Sequence, residues 1–228
     1  MKFLLGLLPL FFFITFSFSQ NSGTGIPPDE SKTLGKPLPN VSLIDSEGKV
    51  FELYSLKGKP LIISPIYTNC SSACPIITKS LKEVLPSVGT VGKDFNVISF
   101  SFDYTDTVKD LRKFKEREGL PKEWIVATGK TRQDLFELVD AIDFRFMSIP
   151  ETKDFVHPNF IVFVSPDMRI KKYLYGVTFK VQDIKDSLYY AVGHESLSEK
   201  LRPYIFFLSL VGFSISLLYI ILKLTRKV

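Results

Sequence analysis

The spacing of hydrophobic positions changes several times along the chain, and each change marks an element. Val41, Leu43 and Ile44 predict a short strand, Asp45-Ser46-Glu47-Gly48 a turn, and Val50-Phe51-Glu52-Leu53 the returning strand of an edge hairpin. After a second turn at Lys57-Gly58-Lys59-Pro60, residues 61–67 (LIISPIY) form an unbroken apolar run with β-branched side chains. Such a run fits a strand buried on both faces. From Pro75 onward Ile76, Ile77, Ser80, Leu81, Val84 and Leu85 recur at helical spacing. The alternation then repeats: a buried strand over 95–102, an amphipathic helix over 106–118 with Asp106 as its cap, a strand over 124–127 and a helix over 131–141. Residues 160–164 and 170–175 flank the turn Ser165-Pro166-Asp167 as a hairpin, and 180–192 supply the last helix of the body. Strands alternating with helices and closing on a hairpin predict an α/β fold whose central sheet has a parallel middle.

The two ends read differently. Residues 1–19 carry Lys2 followed by an uncharged apolar run, with Ser17 and Ser19 at the −3 and −1 positions of a cleavage site, the pattern of a secretory signal peptide. An uncleaved N-terminal anchor is the alternative. Residues 20–36 are polar, rich in Gly, Pro and Ser, and without periodicity, as expected of a flexible leader. Residues 37–195 form the folded body. Residues 203–222 (PYIFFLSLVGFSISLLYIIL) hold no charge, and about 20 apolar residues span the ~30 Å hydrocarbon core of a bilayer. The basic tail 223–228 predicts its cytoplasmic side. The body is therefore expected on the periplasmic or other extracytoplasmic side of a cell membrane, held by a C-terminal transmembrane helix.

Charge follows from this layout. The chain has 29 Lys and Arg against 24 Asp and Glu, and Lys2, Lys223, Arg226 and Lys227 lie in the end segments. The body is close to neutral, which argues against a nucleic-acid partner.

Cys70 and Cys74 are the only cysteines, placed where the strand 61–67 passes into a helix. Residues four apart on a helical turn share a face, and a helix N-terminus favours the thiolate. Three uses compete: a structural disulfide, a redox-active dithiol, and a metal site with a ligand from elsewhere. The loop is short for a stabilising bridge, and exchange dithiols usually have one residue fewer between the cysteines. Thiolates suit Cu(I) or zinc. Of the two histidines, His157 stands just before a core strand, while His194 stands in a polar stretch. Loops at one end of an open α/β sheet converge on a common crevice, which makes His157 the candidate third ligand.

These residues also carry a family resemblance. LGKPLPNVSLIDSEGKVFEL near the start, C-x-x-x-C-P in YTNCSSACP, SFDYTDT, W-x-x-x-T-G at Trp124 to Gly129, and a histidine eight residues before Ser-Pro-Asp occur in order between Leu34 and Gly176. The segment resembles the SCO/SenC family of copper-binding proteins tied to cytochrome c oxidase assembly. The resemblance implies a thioredoxin-like fold and a copper site, Cu(I) or Cu(II), made by Cys70, Cys74 and His157. It further implies delivery of copper to the copper-centre subunit of an oxidase, or reduction of that subunit's cysteines. In an oxidising compartment the pair would tend toward a disulfide, so a thiol reductant protein is expected as a second partner. The SFDYTDT segment is one residue shorter than the family pattern, the expected tether is C-terminal where family members often carry an N-terminal one, and Pro158 restricts His157 to extended conformations. The sequence leaves open an assembly factor without turnover, a thiol–disulfide reductase acting on other proteins, and an interaction domain with no use for its cysteines.

Overall fold

The computed structural model describes residues 25–152, 154–193 and 197–225. The strands are β1 (Ser42–Asp45), β2 (Val50–Glu52), β3 (Leu61–Ile66), β4 (Asn96–Ser101), β5 (Ile125–Gly129), β6 (Met147–Ile149), β7 (Asp154–Val156), β8 (Phe160–Val164) and β9 (Ile170–Tyr175). The α-helices are α1 (Glu30–Thr33), α2 (Ala73–Val84), α3 (Val108–Arg117), α4 (Arg132–Ala141), α5 (Val181–Ala191) and α6 (Leu197–Thr225).

Seven strands form one mixed sheet in the order β2-β1-β5-β4-β3-β8-β9. Its middle, β3–β4–β5, is parallel, and β1, β2, β8 and β9 join antiparallel. The apolar runs explain the order. Every residue of β3 and of β8 is buried, so both strands need cover on two faces and take central places. The helices supply that cover. α2 packs on β3, α3 and α4 on β5 and β1, and α5 on β8 and β9. Trp124, Phe100, Phe102, Phe114, Phe160 and Phe163 are the largest fully buried side chains, each removing of the order of 150–250 Å² from water.

The helix starts are specified by local chemistry. α3 and α4 each open on a reciprocal capping box, Thr107 with Asp110 and Thr131 with Asp134. Asp106, expected as the cap of α3, is displaced from that role by its neighbour Thr107. Its carboxylate turns inward instead, accepting from the Thr68 amide at 2.9 Å, the Thr68 hydroxyl at 2.5 Å and the Ser101 hydroxyl at 2.5 Å.

Two regions depart from the sequence reading. A separate hairpin, β6–β7, stands outside the main sheet with Met147 opposite Val156, and nothing in the sequence pattern predicts it. From Gly25 the expected leader lies along the body. Pro28 and Thr33 are buried, the Gly35 amide donates to the Ile170 carbonyl at 2.8 Å, and Ile170 returns a bond to Lys36. Backbone pairing with β9 is what holds this polar stretch in place.

The expected signal segment lies outside the described residues, as do His194 and the last three residues of the basic tail. The C-terminal stretch is the 29-residue helix α6, with Tyr204, Ile205, Phe206, Phe207, Leu208 and Phe213 exposed. Among the described residues no helix is long and apolar enough to cross a membrane.

Candidate thiol and metal site

The site begins with a proline. The Pro60 and Ile66 carbonyls accept from Asn96 and Phe102 on the β4 side. Backbone groups alternate sides along a strand, so the odd-numbered residues of β3 face β8. The β3–β8 ladder runs through Leu61↔Val164 and Ile63↔Val162. The next bonded position on that side belongs to Pro65, which has no N–H to give, and the pairing ends. The segments that extend β3 and β8 past that point carry Cys70 and His157.

The loop leaving β3 is pinned at Thr68. Asp106 takes the Thr68 amide and hydroxyl, and Arg117 donates to the Thr68 carbonyl at 3.1 Å. Two residues on, Cys70 lies buried against the start of α2, where the Cys74 amide donates to its sulfur at 3.4 Å. Both cysteines are free thiols. The Cys74 thiol donates to Cys70, and this holds the Cys70 thiol far below its ordinary value, at about 3; burial opposes the effect, and His157 and nearby backbone amides add to it. Cys74 moves the other way, pushed well up by its bond to Cys70 and by burial. The pair is therefore polarised, with Cys70 drawn toward the thiolate and Cys74 held toward the thiol. Burial raises the Tyr67 hydroxyl, with Cys70 next in effect, and that hydroxyl donates to Asp154 at 3.1 Å.

His157 is 7 % exposed and seated among aromatic rings. Its centroid lies 5.3 Å from Phe102, 5.6 Å from Phe144 and 6.0 Å from Tyr67. Its Nδ1 is 3.0 Å from the Pro158 carbonyl. A carbonyl only accepts, so Nδ1 donates to it, and Nε2 is the ring nitrogen that Pro158 leaves unengaged. Pro158, read from the sequence as a constraint on the backbone, thus also orients the ring.

The structure assembles the cysteine pair and brings His157 close enough to influence Cys70. Among the described residues, however, no three His, Cys, Asp or Glu side chains are gathered tightly enough to enclose a metal ion. In type, two sulfurs and an imidazole nitrogen suit a soft cation, and two of those donors are already together. Sequence reasoning missed Tyr67, Phe102, Asp106 and Phe144 as supports of the site. Only Asp106 left a trace, as a polar residue placed where a cap belongs.

A mixed sheet with a parallel middle, an antiparallel closing hairpin and a cysteine pair at the junction of a central strand and a helix define a thioredoxin-like thiol domain. The SCO1/SenC family model matches residues 32–191, and the chain belongs to that family. Solved structures with the same fold agree. A protein of Aquifex aeolicus VF5, provisionally described as an electron transfer protein, is 49 % identical with a TM-score of 0.69, over 72 % of this chain and 97 % of that one. BsSco, described as a member of the Sco family of cytochrome c oxidase assembly proteins with a disulfide switch, is 26 % identical with a TM-score of 0.59, over 70 % and 95 % of the two chains. ScoI of Arabidopsis thaliana, solved with copper bound, is 22 % identical with a TM-score of 0.58, over 70 % and 98 %, and shares the fold.

Proposed function

We propose that this chain is a copper-binding assembly factor for a cytochrome c oxidase, with Cys70, Cys74 and His157 as its ligands. The buried thiolate–thiol pair carries the reading, because it offers a soft anionic donor with a second sulfur beside it and His157 nearby. Copper bound there would be cargo for the oxidase subunit or an electron carrier toward that subunit's cysteines. This chain's residues supply the donors, exclude water through the Tyr67, Phe102 and Phe144 rings, and orient the histidine ring through the Pro158 carbonyl. The apolar surface of α6, together with the uncharged stretch 203–222, supports a membrane tether that keeps the body on the extracytoplasmic side. In that compartment a partner reductant is needed to keep the thiols open for loading.

The test is an anaerobic Cu(I) titration of the reduced full chain in detergent. One equivalent should bind, Cys70→Ser and Cys74→Ser should each abolish tight binding, and His157→Ala should weaken it about tenfold or more. Binding that is indifferent to both cysteines would defeat the reading.

The polarisation of the pair also favours a second reading, a thiol–disulfide reductase in which Cys70 attacks and Cys74 resolves. That reading needs no histidine. Metal-free chain that reduces a protein disulfide equally well with His157→Ala, and binds no copper, would establish it over the first.

A further inference from the structure

His157 is held from behind by a segment that has no part in its own loop. Gly25 lies so close to the peptide joining His157 and Pro158 that a Cβ placed on it would stand 2.2 Å from the Pro158 nitrogen and 2.3 Å from the His157 carbonyl carbon. Both atoms are backbone, so neither can swing aside. Only a residue without a side chain permits this approach.

The same segment reaches the pocket at a second point. The Asp29 amide donates to the Asp143 carboxylate at 2.6 Å. Asp143 has φ +47°, a left-handed conformation uncommon for L-residues but more accessible to Asp than to most. Its chain neighbour Phe144 is one of the rings against His157, at 5.6 Å. Asp143 is further gripped by Arg145 at 2.8 Å. The segment therefore meets the histidine's backbone through Gly25 and reaches one step from its ring support through Asp29.

Its other end is firmly anchored. The Tyr175 hydroxyl donates to Glu30 at 2.6 Å, Gly35 and Lys36 pair with Ile170, and the Arg169 guanidinium donates to the Gly35 carbonyl at 2.9 Å. A segment tied to β9 at one end and pressed on the His157–Pro158 peptide at the other forms a strap across the edge of the sheet.

We infer that residues 25–36 are a positioning strap for His157, with Gly25 and Asp143 as its working contacts. The strap fixes where the imidazole stands relative to the cysteine pair, and hence how readily it completes a metal site. The inference rests on the proposed ligand role of His157 for its copper consequence, but not for its structural content.

The experiment keeps the two apart. The chain has two histidines, so selectively labelled full chain in detergent micelles gives two imidazole signal sets by NMR, with His194 as an internal reference. Gly25→Val should force the strap off the His157–Pro158 peptide, shift the His157 ring signals in the metal-free protein and leave those of His194 in place. Cu(I) affinity should fall about tenfold, the scale expected for loss of a residue that orients a ligand. Asp143→Gly, which keeps the left-handed backbone while removing the carboxylate, should shift the same signals and covers the case in which Gly25→Val does not fold. His157 signals unmoved in both variants would overturn the strap. Moved signals with unchanged affinity, where His157→Ala does weaken binding, would overturn its role in metal binding. If His157→Ala leaves affinity unchanged, the ligand assignment fails, and the ring signals alone decide for or against the strap.

Discussion

The Cys74 amide points at the Cys70 sulfur across 3.4 Å, and the Cys74 thiol donates to the same atom. One cysteine thereby favours the thiolate on the other while its own thiol is pushed up. Cys74 lies in the first turn of α2 and Cys70 in the loop just before it, so an amide at the helix start faces the Cys70 sulfur.

The reduced, metal-free protein should accordingly titrate one thiol in the acid range, near 3, and the other far above the ordinary thiol value of 9.0. Cys74→Ala removes the thiol donor and should return the Cys70 pKa much of the way toward that ordinary value. Ultraviolet thiolate absorbance as a function of pH reads this directly. A single transition near 9 in the parent would contradict it.

Asp106 should act on the cysteine loop through Thr68. Asp106→Ala leaves the Thr68 amide and two hydroxyls without their acceptor, and about 1–3 kcal/mol of stability should be lost. Burial raises the Asp106 carboxyl above 3.8, with the hydroxyls of Ser101 and Thr68 opposing. A carboxyl raised on folding contributes stability below its ordinary pKa and loses that contribution as pH rises through its folded value. Asp106→Asn abolishes this titration, so the stability of the parent relative to the variant should decline between pH ~4 and ~7. Denaturant midpoints at the two pH values give the comparison.

Phe102 should be among the most sensitive core positions. Its ring touches those of Tyr67, Phe144, Phe146, Phe155 and His157. Phe102→Ala should cost about 3–5 kcal/mol, measured by equilibrium unfolding, and should loosen the histidine as well as the core. Phe102→Leu, which retains most of the volume, should recover much of the stability and little of the ring packing.

The two capping boxes should contribute independently. Thr107→Ala and Thr131→Ala should each cost about 1 kcal/mol and add in the double variant, since they cap different helices. The Asp110 carboxyl is lowered below its ordinary value, first by the Thr107 hydroxyl and then by the Thr107 amide. A lowered carboxyl contributes stability above its ordinary pKa and loses it as pH falls through the folded value. The effect of Thr107→Ala should therefore shrink in acid.

What the sequence discloses about this fold depends on how local each cause is. β3, β4 and β8 are legible because burial on both faces leaves an unbroken apolar run, and β8–β9 is legible through its Ser-Pro-Asp turn. β6 and β7 are not. Each has three residues, Met147 is 66 % exposed, and their main packing is Phe146 and Phe155 reaching back to Phe102, a contact set by tertiary structure. Asp106 was misread because Asp and Thr both cap helices and stand side by side; only the buried hydroxyls of the preceding loop and strand decide between them. At the site, the cysteine pair follows from spacing and position, while His157 drew its weight from the family motif. The strap could not be foreseen at all, since a Gly- and Pro-rich polar stretch has the same composition whether it is solvated or laid along a strand.

Pro65 has a consequence for how the site behaves over time. Because β3 and β8 stop pairing where its N–H is missing, the segments bearing Cys70 and His157 share no ladder hydrogen bond beyond Ile63↔Val162. They form the two prongs of a fork in the sheet. Beyond that pair they meet through side chains, the Tyr67 hydroxyl on Asp154 and the Tyr67 ring against Phe155 and His157. Under the proposed carrier role, loading would act on these side-chain contacts and leave the β3–β8 ladder in place, because the covalent structure of Pro65 ends that ladder first.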